Sequence, residues 1–151
     1  MGGFFTLRAL AAGDPVKAAC VMAPYDFALQ SILAATKEDA AQNLDGLLGE
    51  GAPWLAGTDA AILRKELCDH EDDYVFSSGA GRTADARLLI IGASFDECAV
   101  TKYQARHIYD TLASFGKGRT YYEEIESDHC FSDRRCLLAE TVARWFISNI
   151  D

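Results

Sequence analysis

Apolar and polar positions along the chain fall into short uninterrupted apolar runs separated by stretches with a three-to-four-residue period. After Gly2-Gly3, the segment FFTLRALAA places Phe4, Leu7 and Ala11 at helical spacing, and Gly13 and Pro15 supply stop signals. Residues 16–23, VKAACVMA, form a short run closed by Pro24, whose length and β-branched content predict a mostly buried strand. A second strand is predicted in residues 87–97, RLLIIGASFDE, where apolar residues lead into a small-residue turn and an acidic pair. Residues 100–115 put Ala105, Ile108, Tyr109 and Leu112 on one helical face, and Gly116 ends the helix. Residues 119–125, RTYYEEI, read as a third strand whose polar content suits a sheet edge. In residues 132–150, Leu138, Val142, Trp145 and Phe146 make the stripe of a final amphipathic helix.

Residues 25–86 differ in character, being alanine-rich, acidic and punctuated by glycine. Thr36, with Asp39 three positions on, is expected to cap a helix running toward Leu48 and ended by Gly49 and Gly51. Thr58 or Asp59 would start another that reaches Cys68. Residues 77–83, SSGAGRT, lack the order of glycines and lysine that a phosphate cradle needs, and are read as a loop. The succession helix, strand, helical insert, strand, helix, strand, helix predicts an α/β fold of about three parallel strands flanked by helices, with residues 25–86 as a helical insert.

With 151 residues and 50% hydrophobic content the chain suits one domain with a substantial core. The net charge of −9 argues against nucleic acid and anionic membrane surfaces as partners, since both require local positive charge. The five cysteines, Cys20, Cys68, Cys98, Cys130 and Cys136, are odd in number and contain no C-x-x-C pair. That disfavours a disulfide framework or a zinc ribbon. No apolar run has the length of a membrane span, and the start lacks a secretory signal pattern, so a soluble, cytoplasmic protein is expected.

The candidate chemistry lies at the carboxyl ends of the second and third strands, where open α/β sheets place ligands. Asp96 follows one and His129 the other, an acid and a base of the kind that make up two-thirds of a hydrolytic triad. Glu97 and Asp128 are rival acids, but Asp128 is too close in sequence to orient the ring easily and Glu97 is expected to point away after the turn. His107 lies on a helix flank and reads as a partly exposed helix histidine. The stretch Asp69-His70-Glu71-Asp72-Asp73 invites a metal reading, although adjacent acids more often form a solvated surface, and no metal or other cofactor is expected. Cys98, close to Asp96 in sequence, and Cys130, next to His129, are alternative nucleophiles but have no structural elbow to aim them. Trp54, Leu55, Tyr121 and Tyr122 are candidates for a substrate pocket and equally for packing.

LLIIGASFDE resembles the stretch after the seventh strand of dienelactone hydrolases and prolyl oligopeptidase-like hydrolases, within the α/β-hydrolase superfamily. DHCFSDRR resembles their histidine loop, and ETVARWFISNI is similar to their last helix. The order acid, then histidine, fits the family's chain order of Ser, acid, His. The resemblance spans nearly the whole chain and implies the C-terminal half of an α/β-hydrolase fold, with residues 25–86 as the cap. It also implies a G-x-S-x-G nucleophile elbow, in which Met1 matches the residue after the serine and Gly2 the last glycine. The serine itself is absent, and Ser78 and Ser94 do not stand in that context, so the chain is expected to be a fragment or a truncated reading frame.

What the resemblance implies is a serine hydrolase acting on small-molecule carboxylic esters or short peptides through an acyl-serine intermediate. His129 would be the general base, Asp96 the acid that orients it, and the backbone N–H of Met1 an oxyanion donor. Without the serine this chain is expected to be inactive by itself. The alternative is a non-catalytic half-domain or interaction fragment. In the family's sheet the strand matching residues 16–23 pairs with the one carrying the serine, so its edge is expected to be open and to promote self-association.

Overall fold

The computed structural model describes residues 2–150, so the expected oxyanion donor, Met1, lies outside the described residues. The chain divides into two compact units, Met1–Tyr25 with Gly79–Asp151, and Asp26–Ser78. The first is built on α1 (Gly2–Ala12) and β1 (Ala18–Met22). Leu7 and Leu10 are the buried positions of α1, and the helix stops at Gly13, whose φ of 89° is open to glycine at little cost. The amides of Gly13 and Asp14 donate back to the carbonyls of Leu10 and Ala9, satisfying the helix's last acceptors.

The second unit is entirely helical: α2 (Phe27–Ala34), α3 (Glu38–Gly51), a 3₁₀ turn at Ala52–Trp54, α4 (Ala60–Asp69) and α5 (Glu71–Tyr74). Asp26 is its organising residue. One carboxylate oxygen caps α2 by accepting from the Leu29 amide at 3.0 Å, and the other accepts from the Phe76 amide at 2.7 Å. A fully buried carboxylate thus ties the start of the unit to its end. In α3, Ala40, Leu44 and Leu48 are buried at i, i+4 and i+8. The expected Thr36 cap is not used. The helix starts at Glu38 with Lys37 in the capping position, and the Thr36 hydroxyl donates to the Leu33 carbonyl of the preceding helix. Gly49 lies inside α3 instead of ending it. Asp59 does cap α4, accepting from the Ile62 amide at 2.8 Å. Residues 77–83, read as a loop, are wound into a 3₁₀ turn (Phe76–Gly79) and one helical turn, α6 (Ala80–Thr83).

From α6 the chain enters β2 (Arg87–Ala93), then α7 (Ala105–Ala113), β3 (Thr120–Ile125) and α8 (Arg135–Asn149). The sheet has the order β1-β2-β3 and both pairings are parallel, as the alternation of strands and helices predicts. Its centre is β2, buried from Leu88 to Ala93, while β3 is half-buried or exposed from Thr120 to Glu124 and buried at Ile125, as suits an edge strand. Regular α7 begins at Ala105 and not at residue 100, because residues 101–104 form turns in which Thr101 Oγ1 donates to the Ala93 carbonyl at 2.5 Å. Beneath α8, Leu89, Ile91, Ala93, Ile125 and Phe131 form a buried cluster on which Leu138, Val142 and Trp145 pack. Among the described residues no helix is long and apolar enough to cross a membrane.

Candidate functional site

Asp96 stands three residues beyond the end of β2 and His129 four beyond the end of β3. Adjacent parallel strands bring their exits side by side, and two backbone hydrogen bonds fasten the exits together. The Ser94 amide donates to the Ile125 carbonyl at 2.9 Å, and the Phe95 amide to the Ser127 carbonyl at 3.0 Å. The outcome is a distance of 2.7 Å between His129 Nδ1 and Asp96 Oδ2, with the Asp96 side chain fully buried and that of His129 42% exposed.

The remaining oxygen of Asp96 is also committed. Oδ1 accepts from the amides of Cys98 at 2.9 Å and Ala99 at 2.7 Å, so three donors converge on one carboxylate. Such a carboxylate accepts only, which places the proton of the neutral imidazole on Nδ1. Nε2, on the far edge of the ring, then carries the lone pair. It is the nitrogen able to take a proton from a third group.

The loop that presents His129 is braced by its neighbours. Asp128 Oδ1 accepts from the amides of Cys130 at 3.0 Å and Ser132 at 2.9 Å. The hydrogen bond from Ser132 is the main reason why this carboxyl titrates below its ordinary range. Asp128 therefore serves the loop, while Asp96 serves the ring. Phe131 turns with φ of 51° and plugs its side chain into the cluster under α8, 3% exposed. Ser127 Oγ reaches Asp133 Oδ1 at 2.6 Å across the base of the loop. Histidine and aspartate could be read from the sequence. The bracing by Ser127, Phe131 and Asp133 could not, because it depends on a left-handed residue that no local pattern announces.

His129 lines a cavity of about 320 Å³ whose opposite wall is the first turn of α1, at Gly2, Gly3 and Thr6, with Cys20 and Ala23 of the β1 segment beside it. Gly3 permits this approach, since a Cβ there would stand 3.1 Å from both Cα and Cβ of Pro24. Ala23, leaving β1, holds a φ of 41°, a strained backbone for a residue with a Cβ. Burial pushes the Cys20 thiol up to about 11, so it stays protonated near neutrality and is a poor nucleophile. Cys98 and Cys130 are exposed.

The other candidates lie elsewhere. Glu97 is exposed. His70, between α4 and α5, contacts a carboxylate of each, with Nδ1 3.3 Å from Asp73 and Nε2 3.9 Å from Glu66. Trp54 belongs to the helical unit and is 88% exposed. Tyr121 and Tyr122 line a different and larger cavity of about 450 Å³ at the outer edge of β3. Around His129 an imidazole oriented by a buried carboxylate lines a cavity beside the start of a helix. No protein-family model, curated protein or solved structure matches the chain.

Proposed function

We propose that Asp96 and His129 are the orienting acid and the general base of a serine hydrolase of the α/β-hydrolase kind, cleaving carboxylic esters or peptide bonds through an acyl-serine. The observation that carries this reading is the 2.7 Å contact between His129 Nδ1 and a buried carboxylate already holding two backbone amides. A serine hydroxyl brought to Nε2 would lose its proton to the ring as it attacks the substrate carbonyl. The imidazolium so formed, stabilised by Asp96, would return the proton to the leaving group. Gly2 and Gly3 of α1 line the same cavity, and the first amides of a helix have no partner within it, which supports a place there for the oxyanion that develops.

The hydroxyl has no source in a G-x-S-x-G context within these 151 residues. The proposal is therefore that a separate segment delivers it, entering beside Gly2 along the open side of β1, and that the chain alone is inactive.

The test uses a fluorophosphonate probe and an activated p-nitrophenyl ester. The chain by itself should give neither label nor acyl-enzyme burst. Joined at its amino end to a supplied strand carrying G-x-S-x-G, it should take up the label at that serine, and His129→Ala should abolish labelling. A burst from the chain alone that depends on His129 would overturn the claim that the nucleophile comes from elsewhere. An unlabelled serine in the longer form would overturn the hydrolase reading and favour a non-catalytic module.

A further inference from the structure

The sheet ends at β3, and the outer edge of that strand lies in a groove. Its walls are Tyr109 of α7 on one face of the sheet and Thr141, Arg144 and Trp145 of α8 on the other, enclosing about 450 Å³. The carbonyls of Arg119 and Ile125 accept from Leu88 and Ser94 on the β2 side. By the alternation of a parallel ladder, the backbone groups of Thr120, Tyr122 and Glu124 point the other way, into the groove. The α8 wall carries a second unmet requirement. Trp145 Nε1 is buried and, among the described residues, is the side-chain polar atom of that kind with no hydrogen-bond partner.

Charge along this edge is polarised. Lys117 and Arg119 stand at its start, where they also bond the Asp85 carboxylate and carbonyl of their own chain, and Glu123, Glu124 and Glu126 stand at its end. A strand with that polarity complements a copy of itself running antiparallel, because each basic end then faces an acidic end. Edge strands guarded by like charge along their whole length resist such pairing; this one does not.

We propose that β3 is a homodimer edge, two copies pairing antiparallel about a twofold axis to continue the sheet across the interface. Outward-facing residues must meet outward-facing residues, and the register that keeps the twofold sets Tyr122 opposite Tyr122 and Thr120 opposite Glu124 of the second copy. On the α7 face the two Tyr122 rings meet. Each is already held by its own chain, 5.3 Å from the Tyr109 ring and 5.3 Å from the Arg106 guanidinium. On the α8 face Tyr121, stacked edge-on to Trp145 at 5.8 Å, lies opposite Glu123 of the second copy, and Arg119 lies diagonal to it. Glu123 thereby enters the groove beside Arg144 and the indole that has no acceptor. The proposal concerns the far side of the sheet from the cavity beside α1 and does not depend on the hydrolase reading.

Sedimentation velocity at neutral pH, over a wide concentration range, tests it. The wild-type chain should show a concentration-dependent dimer. Glu123→Lys should weaken it by about tenfold, although the change lowers the net negative charge that keeps copies apart. Arg119→Glu should weaken it likewise, and the double variant Arg119→Glu/Glu123→Lys should restore it. Circular dichroism of each variant separates lost pairing from lost folding, and the restored double variant does so independently. A monomer at every concentration would overturn the proposal. So would a dimer that resists both single reversals, or one abolished by Met22→Lys on β1 and not by Glu123→Lys.

Discussion

Two neighbouring aspartates differ in what their oxygens touch, and that separates the roles of Asp96 and Asp128. Both spend one oxygen on two backbone amides, but only Asp96 turns the second toward the imidazole. Asp128 is a loop brace with a pH signature. Its pKa is lowered on folding, so its contribution is fully present above the ordinary carboxylate range. It fades as pH falls through the lower value of the folded chain. Asp128→Asn keeps an acceptor for the two amides and removes the charge. The variant should melt below the wild type at about pH 6, and the gap should narrow as the pH approaches about 2. Thermal midpoints across that range check this, and a gap that stays constant would show that the charge is not what braces the loop. At this scale the meeting of Asp96 with His129 was legible, because strand ends are marked by apolar runs. Their supports were not, since Phe131 and Ser127 act through a turn and a cross-loop bond formed only once the fold exists.

Among the elements, the three strands were legible because each is a bounded apolar or β-rich run, and their order implied parallel pairing. Helix boundaries were less so. The start of α7 is displaced by tertiary packing at Gly92, where β2 runs close beneath the turns of residues 101–104. A Cβ at Gly92 would lie 2.8 Å from Thr101 Cγ2 and 2.9 Å from the Tyr122 hydroxyl. Neither neighbour yields easily, because Thr101 Oγ1 is bonded to the Ala93 carbonyl and the Tyr122 hydroxyl donates to Glu124 at 2.5 Å. Gly92→Ala is therefore expected to cost about 1–3 kcal/mol by overpacking, measured by urea denaturation. A neutral substitution would mean that α7 can move away from the sheet, and with it the exit that holds Asp96. The helical turns of residues 76–83 escaped the sequence reading for a simpler reason: pieces of four residues are too short to display a period.

For the whole molecule, the two outer edges of the sheet have opposite chemistry. β3 is polar and charge-patterned, whereas β1 is apolar and carries no guarding charge within Ala18–Met22, with Met22 46% and Val16 47% exposed beside it. The last helix adds to the apolar surface, with Ile147 78% and Leu137 45% exposed. At neutral pH the net charge of −9 opposes the meeting of such surfaces over distances of a Debye length. That opposition vanishes near the isoelectric point, about pH 4.7. Irregular self-association through the β1 edge should therefore rise as pH falls from 7 toward that value, seen as light scattering that grows with time. Met22→Lys, which sets a charge on the open edge, should suppress it, because an added strand would have to bury that charge. The same variant should leave the ordered pairing proposed for β3 intact at neutral pH. Scattering at the isoelectric point that Met22→Lys does not reduce would move the liability from β1 to the exposed face of α8, and Ile147→Lys would then be the substitution that relieves it.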